Sequence, residues 1–235
     1  VAEQEQPVDI YLLPGTMCNK ALWQHLVTPS SVRLHHLPIS AGESIDDIVD
    51  NLRQRLSGMN IPLVGFSLGG YLAASLTSRY PELVSKLMII SNSPCALSHA
   101  EISHRKLLLS ALQSGKYQGM TERKAAAFLD PETCSQSIIE IMMDMDAQLG
   151  REEFIRQISA TTERDDLLDV LSQLTVPISL VYSKHDPLVD VPWCESLVAS
   201  RQSVQQKVFD GKGHMLPLEK ANLISNFITQ WATTD

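Results

Sequence analysis

The sequence predicts an α/β protein: a mostly parallel, doubly wound sheet of about six core strands, with a helical cap inserted between two of them. Three observations carry that expectation. From Val8 to Ser91, short apolar runs alternate with segments of helical period. Leu87-Met88-Ile89-Ile90 is continuously apolar, as a parallel strand buried on both faces must be. Between Ser98 and Leu174 the rhythm changes to helix after helix, and alternation resumes at Val176. Parallel neighbours need a crossover, and crossover helices on both faces bury the strands between them. The expected division is therefore 1–97 and 175–235 as core and 98–174 as cap.

Taken in order, Val8 to Leu13 is a β-rich run that ends at Pro14-Gly15. Leu22, Trp23 and Leu26 give Lys20 to Val27 a short helical face, and Val32 to Leu37 is the next strand, closed by Pro38. Ser44, with Asp47 three residues on, caps a helix whose Ile45, Ile48, Val49, Leu52 and Leu56 repeat at helical spacing up to Gly58. Ile61 to Phe66 is a strand and Leu68 to Arg79 a helix stopped by Pro81, followed by the strand Lys86 to Ser91. In the insertion, Leu107, Leu108 and Leu112 mark one helix and Ala125 to Leu129 a second. Ile138, Ile141, Met142, Met145 and Leu149 form a clear stripe; Phe154, Ile155 and Ile158, then Leu167, Leu168 and Leu171, mark two more. Val176 to Tyr182 and Val204 to Phe209 are the last strands, with helices Val191 to Ala199 and Pro217 to Trp231.

Bulk properties narrow the partners. The 235 residues suit one α/β domain with an insertion. A net charge of -8 and a pI of 5.3, with no basic cluster, argue against nucleic acid and against an anionic membrane surface. Cys18, Cys95, Cys134 and Cys194 are scattered without a Cys-x-x-Cys pair, so buried free thiols are expected rather than a zinc site or disulfide framework. Val1 to Pro7 is polar and no run of eighteen apolar residues occurs, which points to a soluble cytoplasmic protein. The histidines never approach His-Glu-x-x-His, so neither a catalytic metal nor another cofactor is expected.

The chemistry centres on Gly65-Phe66-Ser67-Leu68-Gly69, where an apolar strand turns sharply into a helix. A serine at such a tip is forced into a strained conformation, and glycines on either side let strand and helix approach closely. Ser67 then stands at a helix N-terminus, whose free N–H groups favour developing negative charge. In open α/β sheets the working groups gather past the C-terminal ends of the strands. Asp186 lies a few residues past Val176 to Tyr182, in Ser183-Lys184-His185-Asp186-Pro187-Leu188-Val189; His214 lies past Val204 to Phe209, in Asp210-Gly211-Lys212-Gly213-His214. Asp190 and Asp210 are alternative acids, and His185 reads as a solvated loop residue.

In these pieces, together with Leu12-Leu13-Pro14-Gly15, downstream Trp23 and Glu219 after His214, nearly the whole chain resembles the α/β-hydrolase superfamily, in particular its compact, capped carboxylesterase-like members. The order Ser, Asp, His is the one this architecture uses. The resemblance implies that Ser67 attacks an acyl carbon, that His214 is its base, and that Asp186 fixes the imidazole tautomer. It also implies an oxyanion hole from the backbone N–H groups of Thr16 and Leu68, each such donor being worth about 10²–10³ in rate. Relatives usually carry His-Gly at Pro14-Gly15, a glycine-rich turn at Leu37 to Gly42, and a leading strand hairpin that has no counterpart here.

The activity so implied is hydrolysis of a carboxylic ester, thioester or lactone of a small acyl substrate through an acyl-enzyme. A serine at the elbow argues against dehalogenase or epoxide-hydrolase chemistry, which uses aspartate there. A lyase or carbon–carbon bond hydrolase acting on an anionic molecule is the alternative, and it requires a cap arginine facing Ser67. Arg105, Arg123 and Arg164 lie in the cap, with Arg164 taken as the candidate. Met142 and Met145 are candidates for an adaptable acyl pocket, against the plainer reading of a helix core. Trp23 and Trp231 read as packing residues. A third possibility is a binding protein that keeps the fold without turnover.

Overall fold

In the computed structural model, which describes residues 6–115 and 117–234, the apolar runs become six parallel strands. They are β1 (Val8–Leu13), β2 (Val32–His36), β3 (Ile61–Phe66), β4 (Val84–Ile90), β5 (Ile178–Ser183) and β6 (Val204–Phe209). Their order is β2-β1-β3-β4-β5-β6, and every pairing is parallel. Residues 1–5, most of the polar stretch read at the start of the sequence, lie outside the described residues.

Alternation along the strands explains why the sheet reads as continuous apolar runs. Leu63, Leu87, Ile89, Leu180 and Tyr182 face one core, together with α1 (Ile45–Arg55), α2 (Leu68–Arg79) and α7 (Val191–Ser200). Ile10, Leu12, Val64, Phe66, Met88, Ile90 and Val181 face the other, packed under α9 (Ala221–Thr233) and the turn Lys20–Trp23. Both faces are covered, so both sets are apolar. Helix α2 is apolar nearly all round because it is buried nearly all round, with only Ser78 and Arg79 outside its buried set. At α1 the Ser44 hydroxyl accepts from Asp47 N–H at 3.1 Å and donates to its carboxylate at 2.9 Å, the expected cap.

Between β4 and β5 the chain is wholly helical in its regular elements: α3 (His99–Gln113), α4 (Glu122–Ala127), α5 (Gln136–Thr161) and α6 (Leu168–Gln173). They form a cap over the C-terminal end of the sheet. The two helices expected from the stripes Ile138 to Leu149 and Phe154 to Ile158 are both present; they follow one another directly within α5 and are separated by a kink at Gly150 (φ 77°, ψ 172°), a conformation that glycine tolerates and other residues resist. Of the three leucines that marked α3, only Leu112 is buried, and Leu107 is 72% exposed.

Two other expectations change. The helical face from Lys20 to Val27 contracts to the 3-10 turn Lys20–Trp23: Gln24 and Leu26 N–H donate three residues back, to Ala21 O and Trp23 O, and Val27 N–H is taken by Ser225 Oγ at 2.9 Å. The closing helix is two pieces, α8 (Leu216–Glu219) and α9, separated at Lys220 (φ -128°), where Glu219 is tied to Asp130 N–H and Thr133 Oγ1. Trp23 packs edge-on to Phe66, their rings 6.4 Å apart, and Trp231 lies against the same core. Among the described residues no helix is long and apolar enough to cross a membrane.

Candidate active site

Three strand ends deliver the three side chains singled out in the sequence. Ser67 joins β3 to α2 at φ 50°, ψ -120°, outside the regions a residue with a Cβ prefers. Its N–H donates to Ile90 O on β4 at 2.8 Å, and its carbonyl accepts from Gly70 N–H at 2.8 Å, so the turn is held from both sides. Glycine is obligatory on either flank: a Cβ at Gly65 would overlap the backbone of Gly69, and one at Gly69 would overlap the carbonyls of Leu13 and Pro14.

Asp186 follows β5. One carboxylate oxygen accepts from Leu188 N–H at 2.9 Å, and the other meets His214 Nδ1 at 2.7 Å. The opposite ring nitrogen, Nε2, stands 3.0 Å from Ser67 Oγ. The pair is deeply buried, with the Asp186 and His214 side chains at 0% and 5% exposure. A carboxylate on Nδ1 fixes that nitrogen as the donor, leaving Nε2 free to accept a proton from the serine hydroxyl. Such a line can activate a hydroxyl as a nucleophile and return the proton to a leaving group.

The His214 loop is anchored by groups the sequence did not single out. Ser91 Oγ donates to His214 O at 2.8 Å, Ser183 Oγ donates to Gly213 O at 2.6 Å, and His214 N–H donates to Phe128 O at 2.8 Å. Both serines stand where an apolar run ends in a polar residue, a signal visible in Ile-Ile-Ser and Val-Tyr-Ser; Phe128 acts through its backbone and leaves none. Asp130 accepts from the N–H groups of Glu132 and Lys212 at 2.9 and 2.8 Å, and these hold its carboxyl below the ordinary value. Burial pushes the Glu219 carboxyl up. These two carboxylates press on the Gly-x-Gly turn, where a Cβ at Gly211 or Gly213 would strike them.

The other candidates sort by position. Thr16 and Ser67 line a cavity of about 320 Å³ between the sheet and the cap, as do Met142 and Met145. Its wall is largely apolar, from Met17, Met120, Met215, Phe66, Phe128 and Phe154, with Glu101, His104 and Arg105 along one face of α3. The N–H groups of Thr16 and Leu68 donate to no protein group among the described residues. Arg164 stands outside the cavity wall: its Nε donates to Cys95 O at 3.0 Å, and its guanidinium lies 4.7 Å over the Tyr71 ring. Burial lowers it to about 10. The arginine that reaches the cavity is Arg105, which the sequence named without preference. Its Nε donates to Glu101 Oε1 at 3.1 Å and its Nη1 to Thr161 Oγ1 at 3.3 Å.

Asp190 caps α7 through Trp193 N–H, and Asp210 and His185 are exposed. Cys18 lines the cavity, but burial pushes its thiol up to about 12, so it stays protonated and a poor nucleophile. A wider, open recess lined by Ile39, Ala41, Asn51 and Arg55 contains none of the three hydrogen-bonded side chains. Among the described residues no three His, Cys, Asp or Glu side chains are grouped to hold a metal ion.

Comparison with known proteins agrees with this architecture. The family model for the alpha/beta hydrolase fold matches residues 37–221. A monoacylglycerol lipase of Xenopus laevis is 22% identical over 96% of this chain and 77% of its own length. A pimeloyl-[acyl-carrier protein] methyl ester esterase of Vibrio vulnificus is 25% identical over 90% of this chain and 89% of its own. Among solved structures, an esterase from Thermogutta terrifontis superposes with a TM-score of 0.82 at 18% identity, covering 96% of this chain and 89% of that one.

Proposed function

The chain belongs to the alpha/beta hydrolase fold family, and from that premise we propose that it is a serine hydrolase cleaving a carboxylic ester through an acyl-enzyme. The observation that carries the reading is the line Ser67 Oγ, His214 Nε2, His214 Nδ1, Asp186 Oδ2, with steps of 3.0 and 2.7 Å, opening on a cavity. Ser67 attacks the acyl carbon as His214 takes its proton. The imidazolium so formed is stabilised by Asp186 and protonates the departing alcohol. Water, activated by the same imidazole, then releases the acid. Thr16 and Leu68 N–H groups hold the oxyanion in both tetrahedral intermediates.

The wall favours a small acyl ester over a long chain, since a volume of about 320 Å³ is at the lower end of the range for small-molecule sites, roughly 300–1,000 Å³. Met142 and Met145 supply adaptable apolar contact to the acyl group. The two relatives named above are described as a monoacylglycerol lipase and a methyl ester esterase, which supports ester chemistry without choosing an alcohol. Residues 98–174 act as the cap that selects substrate, over a core made of 1–97 and 175–235.

A second reading, a lyase or carbon–carbon bond hydrolase acting on an anionic molecule, has Arg105 in the cavity wall in its favour. Its charge is already met by Glu101, so the ester reading is preferred. A screen of esters differing in acyl length, with and without a distal carboxylate, tests both readings against Ser67→Ala. The variant is expected to lose on the order of 10⁶ in kcat. Failure of the wild type to label at Ser67 with a fluorophosphonate would make the protein a binding homologue instead.

A further inference from the structure

The loop after β1, which carries Thr16, is gripped by α5 on both sides of that helix's break. Before Gly150, Gln148 Oε1 accepts from Asn19 Nδ2 at 2.9 Å, and Met145 Sδ lies 3.5 Å from Asn19 N. After it, Gln157 Oε1 accepts the N–H of Met17 at 2.9 Å, across 140 residues of sequence. Gln157 is 2% exposed and Met17 4%. Met17 has φ 53°, a left-handed conformation that a non-glycine residue holds only when its surroundings enforce it. The Gln157 bond fixes the Thr16–Met17 peptide plane; the peptide before it, which carries Thr16 N–H, is closed against the same turn by Cys18 N–H, which donates to Gly15 O at 3.1 Å.

Gln157 is itself oriented. Its Nε2 donates to Glu153 Oε1 at 2.7 Å, and a carboxylate can only accept, so the amide oxygen must face Met17. Glu153 is held two-pronged by Arg156 at 2.8 and 2.5 Å, and Arg156 continues to the carbonyls of Ser40 and Gly42 at 3.1 and 3.3 Å. The network runs from a core loop, through the cap helix, to the β1 loop.

We propose that Gln157 is a positioning residue for the oxyanion hole, so that a cap helix sets the direction of Thr16 N–H on the core. The inference rests on the roles given above to Ser67 and Thr16. The position demands an acceptor towards Met17 and a donor towards Glu153 at once. Methionine offers no strong hydrogen bond to either, and glutamate sets two carboxylates against each other.

The test compares Gln157→Met, Gln157→Glu and the exchange Glu153→Gln/Gln157→Glu with wild type, on a short ester and on a trifluoromethyl ketone whose Ser67 adduct carries the oxyanion. Turnover is expressed per serine titrated with fluorophosphonate, so loss of folded protein leaves the value unmoved. Each single variant is expected to lose about tenfold to hundredfold in kcat, with KM little changed and ketone affinity falling by a similar factor. The exchange restores an acceptor for Met17 and a donor to the new carboxylate but leaves Arg156 one oxygen in place of two, so it should recover part of that loss. Unchanged kcat and ketone affinity in both single variants, or a folded exchange variant no better than Gln157→Glu, would overturn the proposal. Persistent turnover in Ser67→Ala would overturn the underlying reading as well, a result distinguishable from failure at position 157 alone.

Discussion

Beneath the cavity, Ser67 starts α2, which buries ten of its 12 residues; above it, α3 lines the wall with Glu101, His104, Arg105 and Leu108, yet buries only Leu112 of its 15. The lower side places its groups on strand ends whose glycines meet backbone directly, so small changes there have nowhere to go. The upper side is joined by side-chain bonds such as Gln157 to Met17 and Tyr117 to Asp146, which substitution can alter one at a time. The hydrogen-bonded line from Ser67 to Asp186 is rooted where the molecule is least adjustable, and the outer wall of the cavity is built where it is most.

The largest effect expected from a lower-side change that keeps the fold, short of removing Ser67 itself, is at Asp186→Asn. It leaves an acceptor for Leu188 N–H but lets the imidazole take the wrong tautomer, so kcat should fall by about 10⁴ in ester hydrolysis. A loss below about tenfold would mean that another acid serves His214. Stability should divide the two regions next. Leu72→Ala, at a fully buried position on α2, should cost about 2–5 kcal/mol in urea unfolding. Leu107→Ala, at 72% exposure on α3, should stay within about 0.5 kcal/mol. Equal costs would erase the distinction.

The smallest expected effect probes the seam between the regions. The N–H groups of Glu132 and Lys212 hold the Asp130 carboxyl below its ordinary value of 3.8, so the folded state favours the charged form. Stability from this source is present above that value and lost as pH falls through the depressed one. Asp130→Asn should therefore lower Tm modestly at neutral pH, with the gap to wild type closing in acid below the ordinary value. A gap that widened on acidification would reverse the assignment.

Legibility in the sequence followed the same division. Strands buried on both faces write unbroken apolar runs, and close backbone approach writes glycine, so β3, the Leu87–Ile90 centre of β4, the Ser67 turn and the Gly-x-Gly before His214 could be read residue by residue, while β4 starts two residues earlier than expected, at Val84, and ends one sooner, at Ile90. The cap betrayed its helices but not their faces. Leu107 and Leu112 look alike in a stripe, and only packing distinguishes them. Arg164 and Arg105 carry the same charge in the same segment, yet one stacks on Tyr71 and the other reaches the cavity. Gln157 had no signal at all, because its meaning lies in a backbone N–H 140 residues away.

The pairing of β4 with β5 sets Leu87 beside Ile178, and the whole helical insertion must be looped out before that contact forms. Long closures of this kind slow folding, because the entropy of the intervening chain is spent before any strand contact returns it. The serine turn follows β3, but the imidazole that meets it, on His214, is synthesised only after β6. A polypeptide still emerging from the ribosome therefore holds Ser67 without its hydrogen-bond partner until the segment that follows β6 is free to settle.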